Sequence, residues 1–148
     1  MTVVDSSVTE ASAENRFHHA LAELMQEREQ LLVAFCSLLS TDAESLDPYR
    51  AQLSQLSQLL TDYSALAHFE VIDPIVSSGK LREADDIKTI AAIQDSTDDI
   101  LAFTDHYSGS AGEQHSMLEF TDALNSLGER LAERFEFEDQ LFGRFQVI

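Results

Sequence analysis

The chain has 148 residues with 44% hydrophobic content, five glycines, two prolines and a single cysteine, and its 27 acids against nine Lys and Arg give a formal net charge of −18. One domain's length and that apolar content suffice for a core, while the apolar runs fall short of the ~20 residues of a membrane span. The charge argues against binding nucleic acid phosphates, and one cysteine rules out an internal disulfide.

From Met1 to Ala13 the sequence is small, polar and acidic, without basic residues or an apolar core. It resembles neither a secretory signal nor a transit peptide, so residues 1–12 are expected to form a loose tail and the protein to be cytoplasmic. Residues 13–148 then make a single domain. Its first helix is expected from Ala13 to Ser40, with Phe17, Leu21, Leu24, Leu31, Phe35 and Leu38 facing inward. Cys36, within an apolar run, reads as a buried structural thiol. Thr41 to Asp47 form a turn, and Asp47-Pro48 suits a helix start, an acid to cap and a proline in the first turn. The second helix runs its core stripe through Leu53, Leu56, Leu60, Tyr63, Ala67 and Val71 until Asp73-Pro74 kinks or ends it. Ser77-Ser78-Gly79 is a connection. A third helix from Leu81 to Tyr107 uses Ile87, Ile90, Ile93, Ile100 and Leu101. After a turn at Gly109 to Gly112, a fourth helix from Glu113 carries Phe120, Leu124, Leu127, Leu131, Phe135, Leu141, Phe142 and Phe145. Short turns between long helices predict an all-α, up-down antiparallel four-helix bundle.

Polar residues on these core faces are the first anomaly. Arg28 shares the stripe of Phe17 and Phe35, Glu138 lies among Phe120, Leu131 and Phe145 with Arg134 one turn before it, His68 leans inward, and Gln94 holds a core position. Counted along an up-down bundle they fall at comparable height, which predicts a buried network centred on Arg28 and Glu138. A metal site is the competing reading of such a layer. It is disfavoured because one inward His and one inward Glu stand beside an arginine; the His/Glu i, i+4 pair worth testing as ligands is His115 with Glu119. No phosphate loop or nucleophile motif is present, and neither catalysis nor a cofactor is expected.

The second anomaly is on the wet side. Asp62 and Phe69, seven residues apart, sit ~20° from one another and far from the stripe's centre. An exposed aromatic beside an acid is good contact chemistry. In a chain this acidic it suits a basic partner steered in by the field, often a DNA-binding module.

Two stretches carry a resemblance. Asp62-Tyr63, followed by His68-Phe69-Glu70-Val71, is similar to the D-Y-x-S-A-G-H-F segment of the Rsd/AlgQ family, and Glu133-Arg134-Phe135-Glu136-Phe137-Glu138-Asp139-Gln140-Leu141 to its E-R-F-x-L-E-D-x-L. Weaker echoes extend the match from Leu21 to Phe142. The resemblance implies a helical bundle and a non-enzymatic anti-sigma activity: binding the C-terminal, promoter-recognising domain of the primary sigma factor of RNA polymerase. It carries the contact role over to Asp62 and Phe69, joined on that surface by Leu66 and Asp73. Arg28, His68, Arg134 and Glu138 match motif positions but face or lean inward, so they are assigned, with Gln94, to architecture. The chain departs from the family at Ala65-Leu66-Ala67, where S-A-G stands, at Leu24 in place of a tryptophan, and at Pro74. A metal- or small-molecule-binding bundle and an acidic adaptor for another basic protein remain as alternatives, and self-association stays open.

Overall fold

The computed structural model describes residues 2–41, 49–81, 84–107 and 116–146. Over these the chain forms α1 (Thr2–Leu39), α2 (Arg50–Leu66), a π-helical segment (Ala67–Ile72), α3 (Asp73–Ser77), α4 (Ala84–Tyr107) and α5 (Met117–Gln146). Because α2, the π-helical segment and α3 follow without a break, the architecture is four rods in an all-α bundle, with no strand among the described residues. α1 packs along α2 and α4 along α5, and α2 also meets α4.

Local chemistry explains most boundaries. No glycine or proline interrupts Thr2–Leu39, so α1 starts well ahead of Ala13. At its other end the Tyr49 hydroxyl donates to the Thr41 carbonyl at 2.6 Å and the Thr41 hydroxyl to Gln52 Oε1 at 3.0 Å, which tie the end of α1 to the start of α2. Asp47-Pro48, Gly109 to Gly112 and His115 lie outside the described residues. Gly79 takes φ 72°, and the Ser78 amide donates to the Pro74 carbonyl at 3.0 Å; only glycine enters that left-handed turn without strain. Ser116 accepts from the Glu119 amide at 3.1 Å and caps α5, within the Ser-x-x-Glu pattern of a capping box.

The core is leucine-rich: Leu24, Leu31, Leu38, Leu56, Leu60 and Leu131 are essentially buried, with Tyr63, Phe120, Ile93 and Ile100 among them. Ile87, Leu101 and Cys36, expected inside, are not in it. Ile87 and Leu101 are exposed because α4 turns Asp86, Ile90, Ile93, Ile100, Phe103 and Tyr107 inward, and Ile87 lies ~120° round from Ile93. Cys36 is exposed too, one residue and ~100° past the buried Phe35.

At Gly128 α5 comes up against the Phe35 ring, and a Cβ there would lie 2.8 Å from Phe35 Cζ. Gly128→Ala should therefore fail to give the ~1 kcal/mol that alanine ordinarily adds inside a helix, and thermal melting should show a lower midpoint; a raised midpoint would mean that the ring yields freely.

Candidate functional site

A polar layer crosses the interior and takes side chains from all four rods. Arg28 of α1 reaches Glu138 Oε1 at 3.1 Å and Asp139 Oδ1 at 2.8 Å, and its Nε donates to the Tyr63 hydroxyl at 3.2 Å. That hydroxyl donates to Glu138 Oε1 at 2.5 Å. Arg134 closes the layer: its Nε lies 3.2 Å from Glu138 Oε2, and its Nη1 donates to Thr97 Oγ1 at 2.6 Å and Ser96 Oγ at 3.4 Å on α4. Both arginines also stack on aromatic faces, Arg28 over Phe135 at 4.5 Å and Arg134 over Tyr63 at 5.7 Å. Burial works against the Arg28 charge, but Tyr63, Asp139 and Glu138 outweigh it and hold its pKa above the ordinary value. Burial and then the neighbouring Glu138 push the Tyr63 phenol up, so it remains a proton donor.

Two residues expected in this layer are elsewhere. Gln94 is exposed, and Ser96 and Thr97 supply the α4 contacts; Gln94 lies a full ~100° past the buried Ile93. The His68 side chain is 44% exposed, with Nε2 3.8 Å from Asp73 Oδ1; at ~100° per residue it already flanks the stripe, about 60° past its edge, and a flanking ring is only half-buried. Tyr63, which the apolar pattern placed in the core but not in the polar layer, belongs to it, as do Ser96, Thr97 and Asp139. The signal for Tyr63 was available in its phenol, since a buried tyrosine hydroxyl needs a partner.

With its inner side locked, the second rod turns another side out. Asp62 is exposed and accepts from Gln58 Nε2 at 2.9 Å, Leu66 is half-buried, Phe69 is 64% exposed, and Asp73 is exposed. From α1, Glu23 and Glu27 extend the negative charge toward Asp62. Burial, then Glu23, then Asp62 raise the Glu27 pKa, and its Oε2 has no hydrogen-bond partner among the described residues. A carboxyl so placed favours an arriving cation.

The same strain sets a sign for stability. Ionised Glu27 opposes folding, a cost absent in acid that grows as pH rises through its raised pKa. Glu27→Gln should thus stabilise the free protein near neutrality by roughly 0.2–0.5 kcal/mol, the scale of a screened like-charge i, i+4 pair. Chemical denaturation at neutral and acidic pH should show that gain disappearing in acid; a loss of stability at neutral pH would contradict it.

Other candidate chemistry is thinner. Among the described residues no group of three His, Cys, Asp or Glu side chains is arranged to hold a metal ion. An open groove of about 600 Å³ between α4 and α5 is floored by Phe103 and Leu127, both already buried, and its rim cation Arg130 is engaged by Asp99 and Glu133. No described helix is long and apolar enough to cross a membrane.

Fold and surface together define an acidic helical bundle whose polar interior ties its rods together and whose second rod carries an exposed aromatic ring, Phe69, together with exposed Asp62. The chain belongs to the family described as regulator of RNA polymerase sigma(70) subunit, Rsd/AlgQ, whose model matches residues 5–146. It is 34% identical over 127 residues to the regulator of sigma D of Sodalis glossinidius, covering 79% of this chain and 81% of that one. Its identity to the regulator of sigma D of Yersinia pseudotuberculosis is 33%, covering 77% and 72% of the two chains, and to that of Pectobacterium carotovorum 33%, covering 79% and 81%. No solved structure matches the chain.

Proposed function

We propose that this protein is a non-enzymatic cytoplasmic regulator that binds the sigma(70) subunit of RNA polymerase through the basic C-terminal domain of that subunit and withholds it from promoter recognition. Family membership supports the partner. The observation that carries the contact surface is Phe69, 64% exposed on the same rod as exposed Asp62. An exposed aromatic ring with a carboxylate on the same face suits a pocket beside a basic group on another domain.

In this reading Asp62 pairs with an arginine that otherwise meets DNA phosphate, the Phe69 ring fills an apolar recess beside it, Leu66 adds apolar area, and Asp73 adds charge at the lower rim. Glu23 and Glu27 widen the negative field on the α1 side. At a net charge of −18 the protein attracts a basic domain from a distance, and salt weakens that attraction. Direct contact with nucleic acid has no part in the mechanism: the protein competes for the partner's DNA-binding surface. The test is co-elution in size-exclusion chromatography with full-length sigma(70) and with sigma(70) lacking its C-terminal domain. The full-length subunit should co-elute and the truncated one should not; equal retention of both would overturn the assignment of the domain.

A further inference from the structure

Pro74 has no amide hydrogen, and in a helix its ring crowds the carbonyl four residues earlier, that of Glu70. A straight α-helix running on from α2 would also bury it. At ~100° per residue, Pro74 falls roughly 40° from the core residue Leu60, whereas Ile72 falls ~120° away. The structure reverses this: Ile72 and Ile75 are each 2% exposed, and Pro74 is exposed. Between Ala67 and Ile72 the chain absorbs an extra residue as a π turn, and the Asp73 amide donates to the His68 carbonyl five residues back.

The wider turn changes which side chains meet. In an α register, Asp73 would stand next to Phe69, its i, i+4 neighbour. In the π register it stands by His68, with Nε2 and Oδ1 3.8 Å apart, and the His68 ring meets the Phe69 ring edge-on at 4.8 Å. Phe69 thus keeps an open face with its i+4 carboxylate drawn aside. That arrangement matters for docking, because a carboxylate carried into an apolar pocket with the ring would lose its water.

We propose that Pro74 is a positioning residue for partner binding: it holds the π turn that hands the Asp73 carboxylate to His68 and presents the Phe69 ring, bare of charge, to an apolar pocket on the partner. The inference rests on the assignment of Phe69 as a contact residue. Pro74→Ala restores an amide that can bond to the Glu70 carbonyl in an α register, so it should weaken binding of the isolated sigma(70) C-terminal domain roughly 3- to 30-fold, the span of non-contacting residues that act through another. The α register would turn position 74 inward and Ile72 outward, so some thermal stability should be lost as well, and the next comparison separates that loss from the effect on binding. In a Phe69→Ala background, Pro74→Ala should change affinity no further, which a merely structural role would not produce. Unchanged affinity on Pro74→Ala, or the same loss in both backgrounds, overturns the proposal. If the wild-type chain fails to bind the domain, or Phe69→Ala binds as tightly as wild type, the assignment beneath it falls as well.

Discussion

Glu138→Leu should destabilise the protein by about 3–5 kcal/mol, the cost of leaving a buried charge without its partner. Glu138 is completely buried and is the acceptor shared by Arg28, Tyr63 and Arg134. Leucine would fill the volume but strand the Arg134 guanidinium, 1% exposed, with only the Ser96 and Thr97 hydroxyls. That is a large share of a total stability typically near 5–15 kcal/mol. Urea unfolding followed by circular dichroism would measure it. A loss below about 1 kcal/mol would mean that solvent or side-chain rearrangement reaches Arg134, and that the layer does not organise the bundle. Arg28 should matter less than Arg134, because its guanidinium is part-exposed and can regain water.

The second large effect is on binding and leaves the fold alone. Phe69→Ala should weaken the complex with the sigma(70) C-terminal domain by about 2 kcal/mol or more, roughly 30-fold, as expected for a central aromatic contact. Asp62→Arg should do at least as much, because it replaces an attraction with a repulsion against a basic surface. Both side chains are exposed, so unfolding midpoints should stay near the wild-type value. Titration calorimetry reads the affinities and circular dichroism the stability. Undiminished affinity in both variants would remove this face from the interaction.

How far the sequence led depends on where the helix stayed regular. The apolar period identified the four rods, because a spacing such as Leu53, Leu56, Leu60 and Tyr63 is kept as long as each residue turns ~100°. The same rule placed Arg28, Arg134 and Glu138 on inward faces, and the structure brings them within hydrogen-bond distance of a common centre. It failed where its premise failed. No wheel drawn at ~100° per residue anticipates the π turn that buries Ile72 and leaves Pro74 exposed, while His68 was only a flanking position, about 60° outside the stripe. Pro74 was the visible cue, but proline equally permits a kink or an end, and choosing among them requires knowing that Ile72 and Ile75 both find room in the core. Gln94 and Ile87 failed for another reason: on α4 the apolar residues cover a wide arc, so the centre of the buried face is poorly defined until α2 and α5 are packed on either side. Asp62 and Phe69 were legible because both sit outside the stripe on any register near the α-helical one. Glu27 was not, since the pressure on its carboxyl comes partly from Asp62 across an inter-helix contact.

The central claim is that an acidic face on the second rod captures the basic C-terminal domain of sigma(70). Its most direct test is calorimetric titration of that isolated domain into the wild-type protein and into Asp62→Arg, each at low and high salt. The wild type should bind with a dissociation constant that rises steeply with salt, and Asp62→Arg should bind far more weakly at low salt. Absence of wild-type binding, or equal affinity of the two proteins at low salt, would contradict the account.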